Sequence, residues 1–323
     1  MTNLTTVRYY NNFFSTEEQW YQNGELHRDA DEPALIEYDK NGNVIRKIWY
    51  QHGKIHREQS RGEQSSNSDK PAGIGFDEDG NITHQSWYQH GKLHRDGDKP
   101  AVIGFRNLSG THIISKKWYR YGELHRDGDK PAEIESIKDR IESMNVYQQN
   151  WYQYGKLHRD GDKPAVIGRF DYKTCKEWYQ HGKLHRDGDQ PAEIDYRYNV
   201  VIQQMWHRHG KIYRDDDKPT KIKYDAQGCK TGEYWYEHRE FYRNGQLHRG
   251  DDKPALILFN EGIKICEEWH QHGKLHREQS NPAIIKNNYQ KGIKFFEGWY
   301  RHGELYRDDN KPTEIYYGGY HFD

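Results

Sequence analysis

His94-Arg95-Asp96, followed by Asp98-Lys99-Pro100, brings together residue types that could do chemistry. His-Arg-Asp is the order in which phosphotransferases carry a catalytic base. Asp96 and Asp98 offer the hard oxygen ligands that Ca²⁺ takes. Twenty histidines could ligate Zn²⁺ or exchange protons near neutral pH. Trp and Tyr beside Arg could stack the bases of a single-stranded nucleic acid.

These clusters recur, and the recurrence decides between the readings. The best copies read Trp-Tyr-x-x-Gly-x-Leu-His-Arg-Asp-Gly-Asp-Lys-Pro-Ala-x-Ile. The leading aromatic is Trp20, Trp49, Trp87, Trp118, Trp151, Trp178, Trp206, Phe241, Trp269 or Trp299, with a glycine four residues on and an arginine eight residues on in each of ten copies. All ten prolines fall in register, five residues after that arginine in every copy but the second, where a polar insert over 60–68 lengthens the loop. A catalytic site is needed once, so a cluster present in every unit reads as architecture. No Gly-rich phosphate loop, strand lysine or Asp-Phe-Gly accompanies His-Arg-Asp, so we expect no enzyme and no cofactor. Two carboxylates beside an Arg and a Lys are too few and too well neutralised for Ca²⁺. Tyr213 and Tyr306 replace the motif histidine in two units, which argues for ring packing over a metal. The Arg is expected to pair with the Asp ahead of a Lys-Pro, bidentately where geometry allows.

The elements that would position these residues are strands. Trp49-Tyr50-Gln51-His52-Gly53-Lys54-Ile55-His56-Arg57 reads as a hairpin about a two-residue turn, because Gly53 supplies the positive φ of a type I′ turn. The turn sets Gln51 opposite Lys54, Tyr50 opposite Ile55, Trp49 opposite His56 and Ile48 opposite Arg57. On that register Tyr, Leu and Arg share one sheet face and Trp and His the other. Pro cannot donate to a ladder and suits a strand start, so Ala34-Leu35-Ile36-Glu37-Tyr38 opens the next strand. Asp39-Lys40-Asn41-Gly42-Asn43 then turns into the strand that carries the next Trp. The fold class is therefore all-β: about ten units of about 30 residues and two antiparallel strands each, in an elongated, twisted meander or solenoid sheet. A propeller blade needs about four strands and 40–50 residues, so an open sheet is favoured. We divide the chain into an N-terminal cap strand (1–19), the array (20–317, units starting near 20, 49, 87, 118, 151, 178, 206, 241, 269 and 299) and a tail (318–323).

Composition fits a thin, ordered sheet. Only 33% of residues are hydrophobic and mean hydropathy is -1.28, yet aromatics reach 14%. A disordered chain would be poor in aromatics and carry a large net charge. Here 49 Lys+Arg face 50 Asp+Glu, so there is no global field to draw in nucleic acid or an anionic membrane. No apolar run is long enough to span a membrane, and the N-terminus lacks the apolar core of a secretion signal. Cys175, Cys229 and Cys266 are odd in number and far apart, which points to a reducing compartment, the cytoplasm, and to no disulfide framework.

Trp-Tyr-x-x-Gly-x-Leu with hairpin periodicity resembles the variant class of MORN repeats. The fuller pattern, through His-Arg to Pro-Ala-x-Ile, resembles repeat proteins of giant DNA viruses of amoebae, over roughly residues 15 to 317. The unit is longer than an ordinary MORN repeat and has His-Arg-Asp-Gly-Asp-Lys-Pro where those have Gly-rich turns. The resemblance implies a viral origin and a repeat architecture, with the host cytoplasm or the virion as location.

The expected function is a non-enzymatic scaffold for protein partners, as a virion component or host-directed factor. A self-assembling structural protein is the second reading, and glycan, lipid or nucleic-acid binding along the aromatic ladder the third. The ladder positions that would carry binding are Trp87, His94 and Arg95, Trp118, His125 and Arg126, Trp151, His158 and Arg159, and Trp178, His185 and Arg186.

Overall fold

The computed structural model describes residues 5–11, 15–57, 69–107, 111–138, 145–237, 246–278, 280–289, 292–308 and 311–317. The chain forms two compact units, Met1–Arg159 and Asp160–Asp323. Among the described residues every regular element is a strand. In the first unit Thr5–Asn11, Ser15–Gln22, Leu35–Asp39, Val44–Ile48, Gly73–Phe76, Ile82–Ser86, Val102–Asn107, Thr111–Lys117, Glu133–Lys138 and Asn145–Asn150 each pair antiparallel with the next. The second unit continues the rule from Val166–Phe170 to Glu314–Tyr316. Within each unit the first and last strands do not pair with each other, so each sheet is an open meander. Within the 1–19 segment a strand over Thr5–Asn11 pairs with Ser15–Gln22, Val7 opposite Trp20. The tail lies outside the described residues, as does the polar insert of the second repeat.

Each regular repeat gives the meander the two antiparallel strands expected and carries a small hairpin beside them. Leu35–Asp39 and Val44–Ile48 belong to the meander, while Tyr50–Gln51 and Lys54–Ile55 form a separate small hairpin. The break falls at the tryptophan. Trp49 N–H donates to the Ala72 carbonyl at 2.9 Å, and the two hairpin arms then pair only with each other, Tyr50 opposite Ile55 and Gln51 opposite Lys54. His52 and Gly53 have φ of 45° and 71°, the signature of the expected type I′ turn. Ile48 pairs with Leu35 and Gly73, not with Arg57, because the strand ends one residue later. The turn at Asp39 closes through its carboxylate, which accepts the N–H groups of Asn41 and Asn43, both at 2.8 Å.

Register rows show where the core sits. Ile36, Ile74, Ile103 and Ile134 occupy one cross-strand row, alternating with Lys47, Gln85, Lys116 and other long polar side chains. Apolar anchors alternating with covering stems explain how so hydrophilic a chain makes a sheet. On this face Trp178, Ala192 and Ile194 pack as a cluster. The alanine after the proline is fully enclosed at Ala34, Ala101, Ala132, Ala165, Ala192, Ala255 and Ala283, each 0% exposed.

Candidate functional site: the seam between repeats

The motif residues meet between consecutive repeats. Arg126 lies flat on its own Trp118, 3.8 Å from the ring centre. Its Nη1 donates to the Pro131 carbonyl at 3.2 Å. Its Nε and Nη2 donate to both carboxylate oxygens of Asp98, in the preceding repeat, at 2.6 and 3.2 Å. Lys130 adds a third donor to Asp98 at 2.7 Å. The same carboxylate contact links Arg57 to Asp31, Arg95 to Asp69, Arg159 to Asp129, Arg186 to Asp162, Arg214 to Asp189, Arg249 to Asp217 and Arg277 to Asp252. The expected Arg–Asp pair is therefore a clasp between repeats. Because each Arg folds onto its own Trp, Trp and Arg share a side, which corrects the expected assignment of Arg to the face opposite Trp. The ladder ends before the Arg, so strand alternation no longer dictates its direction.

Trp118 completes the clasp by donating its indole N–H to the Asp98 carbonyl at 3.0 Å, so one aspartate is held through backbone and side chain together. Asp98 sits at φ 53° to present that carbonyl. Asp129 and Asp162 precede the alternative loop, in which the Lys130 and Lys163 N–H groups donate to Gly128 and Gly161. The indole nitrogens of Trp151 and Trp178 correspondingly do not bond the preceding aspartate's carbonyl.

The motif histidine bridges the same repeats on another line. His94 Nδ1 accepts the backbone N–H of Tyr121 from the next hairpin at 3.4 Å, which leaves Nε2–H to donate to Asp96 at 3.0 Å. His125 and His185 repeat the pattern with Asp127 and Asp187, and His158 also has a partner. Tyr213 and Tyr306 replace histidine by donating their hydroxyls to Asp215 and Asp308, each at 2.6 Å. The Gly122 N–H donates to the Leu93 carbonyl at 2.9 Å, tying one hairpin to the next.

The electrostatics follow from these contacts. The Arg126 and Lys130 hydrogen bonds hold Asp98 down at about 2. Arg214 does the same for Asp189 and Arg249 for Asp217, each to about 2 despite some desolvation. Consecutive loops enclose a cleft of about 250 Å³ between His94 and Lys130, which Arg126 and Lys130 cross to reach Asp98, while His94 pairs with Asp96 on its own side. Among the described residues no group of three or more His, Cys, Asp or Glu side chains is placed to hold a metal ion, and no helix is long and apolar enough to cross a membrane.

The structure brings the candidate ladder residues together, but as interior parts of the seam. Trp87, Trp118, Trp151 and Trp178 are 6–7% exposed, each under its arginine. Among the motif positions the most accessible rings belong to the turn residue just before the glycine, which the sequence reading passed over; Tyr198, at 72%, is exposed elsewhere, in the turn between two meander strands. Tyr121 and Tyr154 are 60% and 63% exposed and lie 4.6 and 4.7 Å from the rings of His94 and His125. His209, His272 and His302 stack on the preceding motif histidines in the same way, at 4.3–4.8 Å. The signal was in the sequence: this position is His or Tyr in most units, although Asn is the better turn former.

The eighth repeat needs a correction. Trp235, not Phe241, fills the aromatic position: Arg249 lies 3.8 Å above its ring and its indole donates to the Asp217 carbonyl at 3.0 Å. Tyr236–Glu237 pairs with Gln246–Leu247, so this hairpin carries an insertion at its tip. Phe241 lies outside the described residues. Trp235-Tyr236 kept the Trp-Tyr signature, and the assumption of constant spacing hid it.

A second group lies on the other sheet face. Burial pushes the carboxyls of Glu177 and Asp195 up, while His207, 3.7 Å away, holds Glu193 down. Burial also raises the Cys266 thiol to about 12, which makes it a packing residue with Ile284 and Phe296.

No family model matches the chain, and a search of curated proteins finds no match.

Proposed function

We propose that the chain is a non-enzymatic scaffold that binds protein partners along its row of hairpin tips. The observation that carries this reading is the division of labour within the motif. Trp, Arg, Asp and His spend their hydrogen bonds and ring faces within their own repeat and on the neighbouring one. The turn rings and the exposed Lys54, Lys92, Lys156, Lys183 and Lys274 face solvent. Exposed Tyr beside flexible cations is a surface suited to a protein bearing carboxylates and apolar side chains. The resemblance to repeat proteins of giant amoebal viruses supports a role as virion component or host-directed factor. Affinity purification of the tagged chain after nuclease treatment, beside a Tyr121→Ser/Tyr154→Ser variant, tests the proposal. A nuclease-resistant protein retained by the parent chain and lost by the variant is the expected result. Equal retention by both would remove the tips from the account.

Self-association is the second reading, favoured by Thr5–Asn11, a strand paired along one side only among the described residues. Light scattering that rises with concentration would support it, and flat scattering would sink it.

A further inference from the structure

The clasp has an exception, and the exception has the form of a modification site. At the position two residues before the motif proline, eight consecutive repeats carry Asp31, Asp69, Asp98, Asp129, Asp162, Asp189, Asp217 and Asp252. The ninth carries Ser280. Its backbone does what the aspartates do. Ser280 has φ 57° against 52° for Asp252, and its carbonyl accepts the Trp299 indole N–H at 2.8 Å as that of Asp252 accepts Trp269 at 2.9 Å. The receiving arginine is also in place. Arg307 lies on Trp299 at 3.6 Å and donates Nη1 to the Pro312 carbonyl at 2.8 Å. Among the described residues its Nε and Nη2 edge, which in the other junctions grips a carboxylate, has no acid opposite it. Ser280 is exposed, and its hydroxyl donates to Asp308 Oδ2 at 2.9 Å.

We propose that Ser280 is a phosphorylation site, and that Arg307 receives the phosphoryl group and closes the last clasp. In the transfer, Ser280 Oγ attacks the γ-phosphorus of a nucleoside triphosphate held by a serine kinase. The bridging P–O bond breaks, the nucleoside diphosphate leaves with the electron pair, and the hydroxyl proton passes to the kinase's base. The resulting monoester carries roughly two negative charges and three acceptor oxygens. It is longer and more strongly charged than the aspartate it replaces, so it reaches the planar edge of Arg307 bidentately. Asp308 loses the serine hydroxyl but keeps that of Tyr306 at 2.6 Å, and its charge steers the phosphate toward Arg307. The consequence is a junction between the ninth and tenth repeats that is loose when unmodified and clasped when phosphorylated.

The test has two arms on the full chain. Phosphoserine is installed at position 280 by site-specific incorporation, and hydrogen exchange is read at the Gly303 amide, which donates to the Leu275 carbonyl across this junction at 2.9 Å. Exchange about threefold slower or more than in the unmodified chain is expected, with a smaller slowing in Ser280→Asp and none when phosphoserine is paired with Arg307→Gln. Unchanged exchange, or slowing that survives Arg307→Gln, would overturn the proposal. In the second arm, protein recovered from the cells that make it is digested with trypsin. Phosphate on the peptide 278–286 is expected, and a wholly unmodified peptide would overturn the assignment of Ser280 as a site.

Discussion

One arginine shows how the motif works. Arg126 is stacked, bonded to a carbonyl and clasped to a carboxylate, with its side chain 14% exposed. Charge-assisted hydrogen bonds contribute about 1.5–3 kcal/mol each where they are shielded, and less where the partner is open to water, as Asp98 is at 43%. Arg126→Ala should therefore destabilise the chain by about 2 kcal/mol in a denaturant titration. The acid side is also predictable. Asp98, Asp189 and Asp217 are held down at about 2 from an ordinary 3.8. A depressed carboxylate adds stability above its unfolded value and loses it as pH falls through the folded one. Melting temperature should be insensitive to these groups above about pH 4 and should fall steeply between about pH 4 and pH 2. A flat profile through that window would mean the clasps do not hold the fold.

At the scale of the elements, the enclosed residue after the proline is a packing constraint, alanine in most repeats. Ala132 is 0% exposed, and its carbonyl accepts the Trp118 N–H at 2.7 Å. Ala132→Val adds two methyl groups at an enclosed position that the seventh repeat fills with the equally branched Thr220, 6% exposed, so the overpacking cost should lie at the low end, about 1 kcal/mol. Equal stability of variant and parent would show slack that the packing does not suggest. Much of this level was legible beforehand. Gly53 after His52 announced the type I′ turn, and turn geometry then fixed Tyr50 opposite Ile55. The break at Trp49 was not legible, because nothing in the local pattern says that its N–H leaves the hairpin for Ala72. The end of the ladder at Ile55 is why Arg57 can turn back onto Trp49 at 3.9 Å, a contact that strand alternation would forbid. The exposed turn rings escaped notice because Tyr121 and Tyr154 are ordinary in composition and unusual only in being held at positive φ.

For the whole molecule, the repeat logic implies neighbour-only coupling. Each clasp joins a repeat to the one before it, and no described clasp skips a repeat. Stability in such an array is a sum of unit and junction contributions, so damage should stay local. The most direct test is residue-resolved hydrogen exchange on the full chain and its Arg126→Ala variant. The account predicts faster exchange at the amides of the junction, Gly122, His125 and Ala132, with Gly210 and Gly273 unchanged. Acceleration spread evenly over the chain, or none at the junction, would contradict the claim that the motif is a clasp between neighbouring repeats.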